Sequence, residues 1–251
     1  MRSSNKTRTI HALLAASALA IAQPAVADTI QLNSFWAGAG SASITFAAGG
    51  TNYHDGSVSA GFTESGGAGG FKTYNLTVDP GSLAPFQSWC VDIFHNFSFA
   101  ANGTDILNTA ASIFGADKAN DLGRLYTNHH NLIDAAGTST ATNEAAFQLA
   151  VWEIVNEKAG SSYDLGAGWL KASGTGAAVA QGWLNELNNT PSASMYNVNI
   201  WSVVQGPSGW GPQDVAIFSP IPEPQTYLLL IAGLALLGFG VRHPRLQPAA
   251  V

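Results

Sequence analysis

Residues 143–158 read NEAAFQLAVWEIVNEK and carry a helical pattern in the middle of the chain. Large apolar side chains recur there at the three- and four-residue spacing of one helix face. They are Phe147, Val151, Ile154 and Val155. Such a stripe is typical of a helix that packs one face against a core. We therefore expect an amphipathic helix over this range.

Two further helices are indicated, one on each side of this segment. On the N-terminal side, one apolar face is formed by Leu122, Leu125, Tyr126, His129, Leu132 and Ile133. On the C-terminal side, a shorter face is formed by Ala180, Trp183, Leu184 and Leu187. The helical period extends over residues 105–189 and predicts a helical middle for the domain.

Strand patterns precede this helical middle. Between residues 29 and 91, apolar and β-branched residues alternate with polar ones, as in SASITF at 41–46 and YNLTV at 74–78. Alternation of this kind predicts half-buried strands. Glycine-rich segments such as SGGAGG at 65–70 are expected to form the turns between them.

Two returning strands are predicted after the helices, at residues 196–204 and 214–219. The expected fold class is α+β. Residues 28–221 would form a single secreted domain with a β-rich N-terminal part and C-terminal returning strands around the helical middle. An apolar C-terminal helix would follow the domain.

The composition excludes one class of function. The chain has 251 residues, a net charge of −6, only 10% charged residues and 27 glycines. Contacts to phosphate groups require clustered Lys and Arg side chains, and residues 28–221 contain no such cluster. We therefore expect no nucleic-acid partner. A charge-poor surface rich in Gly, Ser, Thr and Asn is common in secreted matrix proteins.

Residues 1–27 have the layout of a secretory signal peptide. Arg2, Lys6 and Arg8 precede an apolar run over residues 10–22, and Ala25-Val26-Ala27 supplies small residues for cleavage. The run is too short to span a bilayer. Signal peptidase is therefore expected to cut before Asp28.

The C-terminal segment, residues 222–251, predicts a second processing signal. Pro222-Glu223-Pro224 precedes an apolar run over residues 227–241 and a basic tail. The run is shorter than the roughly 20 residues of an ordinary spanning helix. Basic residues beyond it would stay cytoplasmic and leave the domain outside. We expect a short transmembrane helix that stays in the membrane until it is removed by proteolytic processing. The alternative is a short helix that anchors the protein permanently.

This C-terminal segment resembles the PEP-CTERM sorting signal of Gram-negative bacteria. The resemblance implies recognition by an exosortase, a membrane transpeptidase, with cleavage near Pro222-Glu223-Pro224. It also implies delivery to the cell envelope or extracellular matrix after transient anchoring in the inner membrane. The tail departs from the family pattern, because Arg242-His243-Pro244-Arg245 is not an unbroken arginine run.

Cys90 is the single cysteine of the chain and lies in the segment SWCVDI at 88–93. It has no partner for an intrachain disulfide, and its apolar flank predicts burial. An inert buried thiol and an intermolecular disulfide are both open interpretations. A third pairs Cys90 with Gln148, which lies within an apolar helix. Attack of the thiol on the Gln148 carboxamide would expel ammonia and leave a thioester. Alternatively, Gln148 lies on the helix surface, bonded to Glu144.

The two segments resemble the thioester domains of bacterial surface adhesins. The motifs lie within residues 86–158: an aromatic-Cys-aliphatic-Asp segment and the run FQLAVW at 147–152. The resemblance implies that Cys90 is the thiol, that Gln148 is the acyl donor and that Trp152 packs near the bond. It also implies an adhesin that captures surface amines or hydroxyls. The only chemistry expected is self-catalysed thioester formation, without a cofactor.

Two rival functions remain open. A cysteine hydrolase would use Cys90 with one of three histidines, His95, His129 or His130. A structural protein associated with biofilm or exopolysaccharide would keep a buried thiol. A metal site built from Asp92 and these histidines is not expected, because adjacent His129 and His130 point to different helix faces.

Glu153 and Glu157 are separated by one helical turn, near the end of the predicted central helix. Because Lys158 follows them directly, we interpret the two carboxylates as a solvated helix end rather than as a catalytic pair.

Processing at both ends is the first testable expectation. The mature protein should begin at Asp28 and, in cells that contain an exosortase, should lack the apolar residues 227–241. Terminal sequencing of envelope material measures both cuts, with an exosortase-deficient strain as the control. Recovery of an intact C-terminal segment from exosortase-competent cells would contradict the processed signal.

Overall fold

A computed structural model of the chain describes residues 27–53, 56–77, 84–95, 99, 102–134, 139–204, 213–222 and 224–240. The predicted signal peptide lies outside these residues apart from Ala27. The described strands are β1 Ala27–Phe35, β2 Gly40–Phe46, β3 Thr51–Asn52, β4 Gly56–Ser57, β5 Phe62–Ala68, β6 Phe71–Asn75, β7 Phe86–Cys90, β8 Asn102–Thr109, β9 Leu170–Gly174, β10 Tyr196–Val203 and β11 Val215–Pro220. The described helices are α1 Ala110–Phe114, α2 Ala116–Ile133, α3 Ala141–Asn156, α4 Ala177–Asn189 and α5 Pro224–Gly240.

Six strands form a closed antiparallel barrel in the order β1-β6-β7-β11-β10-β8. Because successive side chains of a strand point to opposite faces, alternate residues fill the barrel interior. Its buried core consists of Ile30, Leu32, Phe71, Cys90, Trp201 and Val215. The barrel thus joins strands from both ends of the domain around one small apolar interior.

A second sheet has three strands in the order β5-β2-β9. Helix α3 contacts these three strands, the barrel strand β7 and the helices α2 and α4. The larger core cluster forms around these elements and includes Phe46, Trp89, Leu125, Phe147 and Leu184. Helix α3 is therefore the central element of the domain.

The amphipathic pattern predicted for α3 underestimates its burial. Every residue from Glu144 to Val151 and from Glu153 to Asn156 is buried. Small side chains at Ala145, Ala146 and Ala150 allow neighbouring elements to approach the helix on several faces, so it is packed nearly all round. Its N-terminus is capped by Thr140, whose hydroxyl accepts a hydrogen bond from the backbone N–H of Asn143 at 3.2 Å.

The predicted combination of strands and helices is confirmed, but two local predictions are wrong. The range 105–189 contains most of β8 and all of β9 in addition to helices. The glycine-rich segment 65–70, expected to be a turn, lies largely in β5, where Ser65, Gly66 and Gly67 pair with β2. Pairing with a neighbouring strand offset the weak intrinsic strand preference of glycine.

The apolar C-terminal segment forms helix α5, and its side chains from Leu228 to Leu237 are exposed. Among the described residues, no helix has both the length and the apolar character needed to cross a membrane. The short transmembrane helix predicted here is therefore not found.

The acidic end of α3 also differs from its prediction as a solvated helix end. Glu153 is fully buried, and its Oε1 accepts a hydrogen bond from the backbone N–H of Asp164 at 2.8 Å. Glu157 is buried as well and accepts from the backbone N–H of Trp169 at 2.8 Å. The ammonium of Lys118 donates to the carbonyl oxygens of Val155 and Glu157. These bonds fix the loop that leads from α3 to β9.

The pKa of Glu153 is raised from its ordinary value of 4.5 to about 8, chiefly by burial and also by the neighbouring carboxylates of Glu157 and Asp164. A folded-state pKa above the unfolded value means that the folded protein binds the extra proton. The stability that the protonated Glu153 side chain contributes is fully present below about pH 4.5 and is lost as the pH rises through about 8. The pKa of Glu144 is likewise raised, chiefly by burial, to about 7.

We therefore expect Glu153 to make the protein more stable at pH 5 than at pH 8, by about 3 kcal/mol. Glu153→Gln keeps the shape and the acceptor but cannot ionise, so it should remove this share of the pH dependence. Denaturant unfolding at both pH values measures the difference. Glu64→Gln, at an exposed carboxylate, is the control and should leave the pH dependence unchanged. Equal pH dependence in wild type and Glu153→Gln would contradict a protonated Glu153.

Candidate functional site

Cys90 is the last residue of β7 and points into the barrel interior. It is buried, and its sulfur donates to the carbonyl oxygen of Asp92 at 3.0 Å and to Gln213 Oε1 at 2.9 Å. Its strand is held by β6 on one side and, at Trp89 and Cys90, by β11 on the other. The thiol is therefore fixed where β7 meets β11.

Gln148 reaches from α3 to the backbone of Cys90. The backbone N–H of Cys90 donates to Gln148 Oε1 at 3.0 Å, and Gln148 Nε2 donates to the carbonyl oxygen of Cys90 at 2.7 Å. The carboxamide thus bonds both backbone groups of one residue. The structure thus brings the Gln148 side chain to the backbone of Cys90, although 58 positions separate the two residues, and both residues line one cavity.

The alternative prediction of a surface glutamine bonded to Glu144 is wrong. Gln148 is only 1% exposed, and Glu144 is directed elsewhere. Glu144 accepts hydrogen bonds from the backbone N–H of Gly70, from Gln87 and from Ser139. A carboxamide buried among apolar side chains requires partners for its polar atoms, and here the strand backbone provides them.

Trp152, one helical turn beyond Gln148, contacts both core clusters. Its indole N–H is buried and has no hydrogen-bond partner among the residues that the structure describes. It nevertheless lies close enough to Cys90 to lower the pKa of the thiol. The predicted place of Trp152 beside the pair therefore agrees with the geometry, while its role at a thioester remains a prediction.

The pKa of the Cys90 thiol is raised well above its ordinary value. Burial is the largest cause, the negative charge of Asp92 adds to it, and the contact with Trp152 opposes it only in part. The thiol is therefore protonated at neutral pH. A nucleophilic cysteine of a hydrolase requires the opposite shift, since the thiolate is the reactive form.

A cavity of about 220 Å³ opens beside the pair, and Cys90, Gln148 and Trp152 all line it. Apolar side chains of Ile44, Phe71 and Ile93 also contribute to its wall. Part of its rim comes from β5, including Glu64 and Ser65. A small molecule or the end of a side chain would fit beside the carboxamide.

His95 lines the same cavity. Its Nδ1 lies 2.5 Å from Asp92 Oδ2, a distance that indicates a strong hydrogen bond. The carbonyl oxygen of His95 accepts a short hydrogen bond from Gln213, which also contacts the thiol. Asp92 and Gln213 therefore bond the thiol of Cys90, and His95, which is bonded to both, lines the same cavity as Gln148.

The other two candidate histidines lie elsewhere, on α2. His129 stacks on Trp183 with 4.3 Å between ring centroids, and burial lowers its pKa to about 4, so that the Glu186 carboxylate 3.4 Å away does not charge it. His130 stacks against Tyr126. Within the described ranges, no three His, Cys, Asp or Glu side chains are grouped to hold a metal ion.

The sequence interpretation missed Gln213 and the pairing of Asp92 with His95. Gln213 is 123 positions from Cys90 and reaches it only because β11 pairs with β7. No local pattern marks such a residue. Asp92 and His95 do carry a weak signal, since a side chain three residues beyond an Asp can reach its carboxylate in a tight turn.

Residues 220–245 match the PEP-CTERM protein-sorting motif. The chain carries a PEP-CTERM sorting signal. The match confirms the resemblance predicted from Pro222-Glu223-Pro224, of which Glu223 lies outside the described residues, and it supports an exported protein that an exosortase sorts to the cell envelope or outer surface. No curated protein and no solved structure matched the chain. The thioester resemblance of the domain thus remains a prediction.

The hydrogen bonds of Gln148 yield a prediction on stability. Gln148→Leu would leave the N–H and C=O of Cys90 buried without that partner, and we expect a loss of about 2–4 kcal/mol of unfolding free energy. Denaturant unfolding measures the loss. Asn185→Leu, at an exposed amide of α4, is the matched control and should change stability by less than about 0.5 kcal/mol. A small effect of Gln148→Leu would contradict the described placement, whether or not a covalent bond forms.

Proposed function

We propose that this exported PEP-CTERM protein is an adhesin whose domain forms an internal thioester between Cys90 and Gln148. The observation that carries the proposal is the pair of hydrogen bonds between the Gln148 carboxamide and the backbone of Cys90. These bonds hold the carboxamide beside the residue that bears the only thiol of the chain. The thioester would capture an amine or hydroxyl of a neighbouring surface.

The bond forms by acyl transfer and needs no cofactor. Cys90 Sγ attacks the carboxamide carbon of Gln148, and the bond between that carbon and Nε2 breaks. The thiol proton ends on the departing nitrogen, which leaves as ammonia, so atoms and charge balance. The backbone N–H of Cys90 donates to Gln148 Oε1, where negative charge develops during the attack.

The raised pKa of Cys90 means that the thiol must lose its proton during the attack. His95 lines the cavity, and its Nδ1 is held by Asp92. With Nδ1 donating to the carboxylate, Nε2 carries the lone pair and can accept a proton. We assign His95 as the group that relays the thiol proton to the leaving nitrogen.

Burial then preserves the product. Cys90 and Gln148 are each about 1% exposed, so bulk water has little access to the acyl carbon. A small nucleophile enters through the cavity, and its attack transfers the acyl group of Gln148 to the new amine or hydroxyl. The nucleophile's proton passes to the sulfur, and Cys90 is released as a thiol.

The pairing of Asp92 with His95 beside a cysteine also supports a cysteine hydrolase as a second candidate. The raised thiol pKa weighs against it, because the resting cysteine is not a thiolate. A structural matrix protein with a buried thiol is the third possibility. The three functions differ in the covalent state of Cys90.

Mass measurement of the exported protein distinguishes these functions. A thioester makes the protein lighter by one ammonia than its processed sequence and prevents labelling by a thiol reagent under denaturing conditions. Methylamine should then restore one thiol and leave a methylamide at Gln148. Cys90→Ala and Gln148→Ala should each abolish this behaviour, whereas Gln181→Ala, at an amide outside the cavity, should retain it.

His95→Ala adds an independent reading, because it should slow formation of the thioester while leaving the chain able to form it. A wild-type protein of full sequence mass that labels at once under denaturation would overturn the thioester. In that case, loss of a hydrolytic activity in His95→Ala would identify the hydrolase, and its absence would leave the structural protein.

A further inference from the structure

A second cavity lies where the barrel is incompletely paired. Strand β7 pairs with β6 along Phe86–Ser88 but with β11 only at Trp89 and Cys90. From Ile217 onward, β11 pairs only with β10 among the described strands. The two strands diverge there, and a cavity of about 320 Å³ opens between them, a size typical of small-molecule sites.

Aromatic side chains form most of the wall of this cavity. They are Trp36, Phe86, Trp89, Tyr126 and Phe218. Trp36 is only partly buried and leaves part of its ring available to a ligand. Aromatic faces carry partial negative charge and attract C–H groups with partial positive charge. The wall therefore suits a ligand with a flat, C–H-bearing face.

Two residues of β7 that line this cavity each have a buried polar side-chain atom without a hydrogen-bond partner among the described residues. These atoms are Gln87 Oε1, an acceptor, and Trp89 Nε1, a donor. The amide orientation of Gln87 is fixed, because its Nε2 donates to both oxygens of Glu144 and to the carbonyl oxygen of Ile133. Buried polar groups normally have partners, and leaving one unpaired costs about 1–3 kcal/mol.

The side chains in and behind the wall of this cavity are acidic. Asp134 lines it and accepts a short hydrogen bond from the Tyr126 hydroxyl, and Glu144 lies behind Gln87. No Lys or Arg is found among the described residues that line the cavity, and Lys72 Nζ lies 5.8 Å from the ring centroid of Trp36. Phosphates, uronic acids and other anions are therefore disfavoured.

We propose that this cavity binds a neutral pyranose unit of a polysaccharide. A sugar hydroxyl is both donor and acceptor, so adjacent hydroxyls can satisfy Gln87 Oε1 and Trp89 Nε1 together and can also bond the Asp134 carboxylate. The C–H face of the ring would pack on the aromatic wall. No single planar apolar ligand would satisfy both the donor and the acceptor.

The saccharide site is separate from the thiol. Gln87 and Trp89 follow one face of β7, and Cys90 follows the other, because neighbouring residues of a strand point to opposite sides. Trp89 accordingly belongs to the core cluster around the helices and Cys90 to the barrel interior. The proposal therefore stands whether or not Cys90 forms a thioester.

Calorimetry on the full-length protein tests the site with neutral gluco-, galacto- and manno-oligosaccharides, a polyuronate oligosaccharide and an extended peptide as probes. At least one neutral oligosaccharide should bind, and the polyuronate should not. Trp36→Ala and Gln87→Leu should each weaken binding about tenfold or more. Trp169→Ala, at a partly buried tryptophan outside this cavity, and Cys90→Ala should leave the affinity within about twofold.

Thermal melts verify that each variant folds. If Gln87→Leu does not fold, the affinity of Trp36→Ala alone tests the proposal. The proposal is overturned if no neutral oligosaccharide binds or if Trp36→Ala binds as tightly as wild type. Preferential binding of the polyuronate or of the peptide would overturn it as well. Binding of the peptide would indicate that the unpaired edges of β7 and β11 accept an added strand. Failure here with an intact thioester would leave the adhesin proposal in place.

Discussion

Glu144, Gln148 and Glu153 project from α3, a helix that is packed on nearly every face. A polar side chain in such a position must find partners within the protein. Glu144 accepts a hydrogen bond from Gly70, directly before β6, and Gln148 bonds the backbone of Cys90 on β7. Glu153 accepts from Asp164 in the loop before β9. Because these three side chains need hydrogen-bond partners, they attach the helix to the residue before β6, to β7 and to the loop before β9.

This constraint also shapes the two cavities. Helix α3 holds β7 from one side, while β11 pairs with β7 only at Trp89 and Cys90. Because β7 pairs with β6 along Phe86–Ser88 but with β11 only at its C-terminal end, space remains on the β11 side of the strand. The thiol cavity lies at the paired end, beside Cys90, and the aromatic cavity lies at the diverging end, beside Gln87. Both proposed activities therefore depend on the same short strand.

The two activities would act together at a surface. The sorting signal supports placement of the domain at the envelope or outside the cell, where neutral polysaccharide and nucleophilic groups are available. Reversible binding of a pyranose unit would keep the domain close to its target, and a thioester would then convert that contact into a covalent bond. Local concentration of this kind raises the rate of a slow second step without any change in its chemistry.

The sequence by itself indicated the sorting signal, the export signal and the mixture of strands and helices, since each rests on a local pattern. It singled out Cys90 and Gln148 only through their resemblance to a known family. It did not determine the barrel, the pairing of the glycine-rich segment as strand β5 or the burial of Glu153. Nor did it indicate Gln213 at the thiol or the cavity between β7 and β11. These features depend on strand register and on side chains far apart in the chain, and periodicity within a segment carries no information about which segments meet.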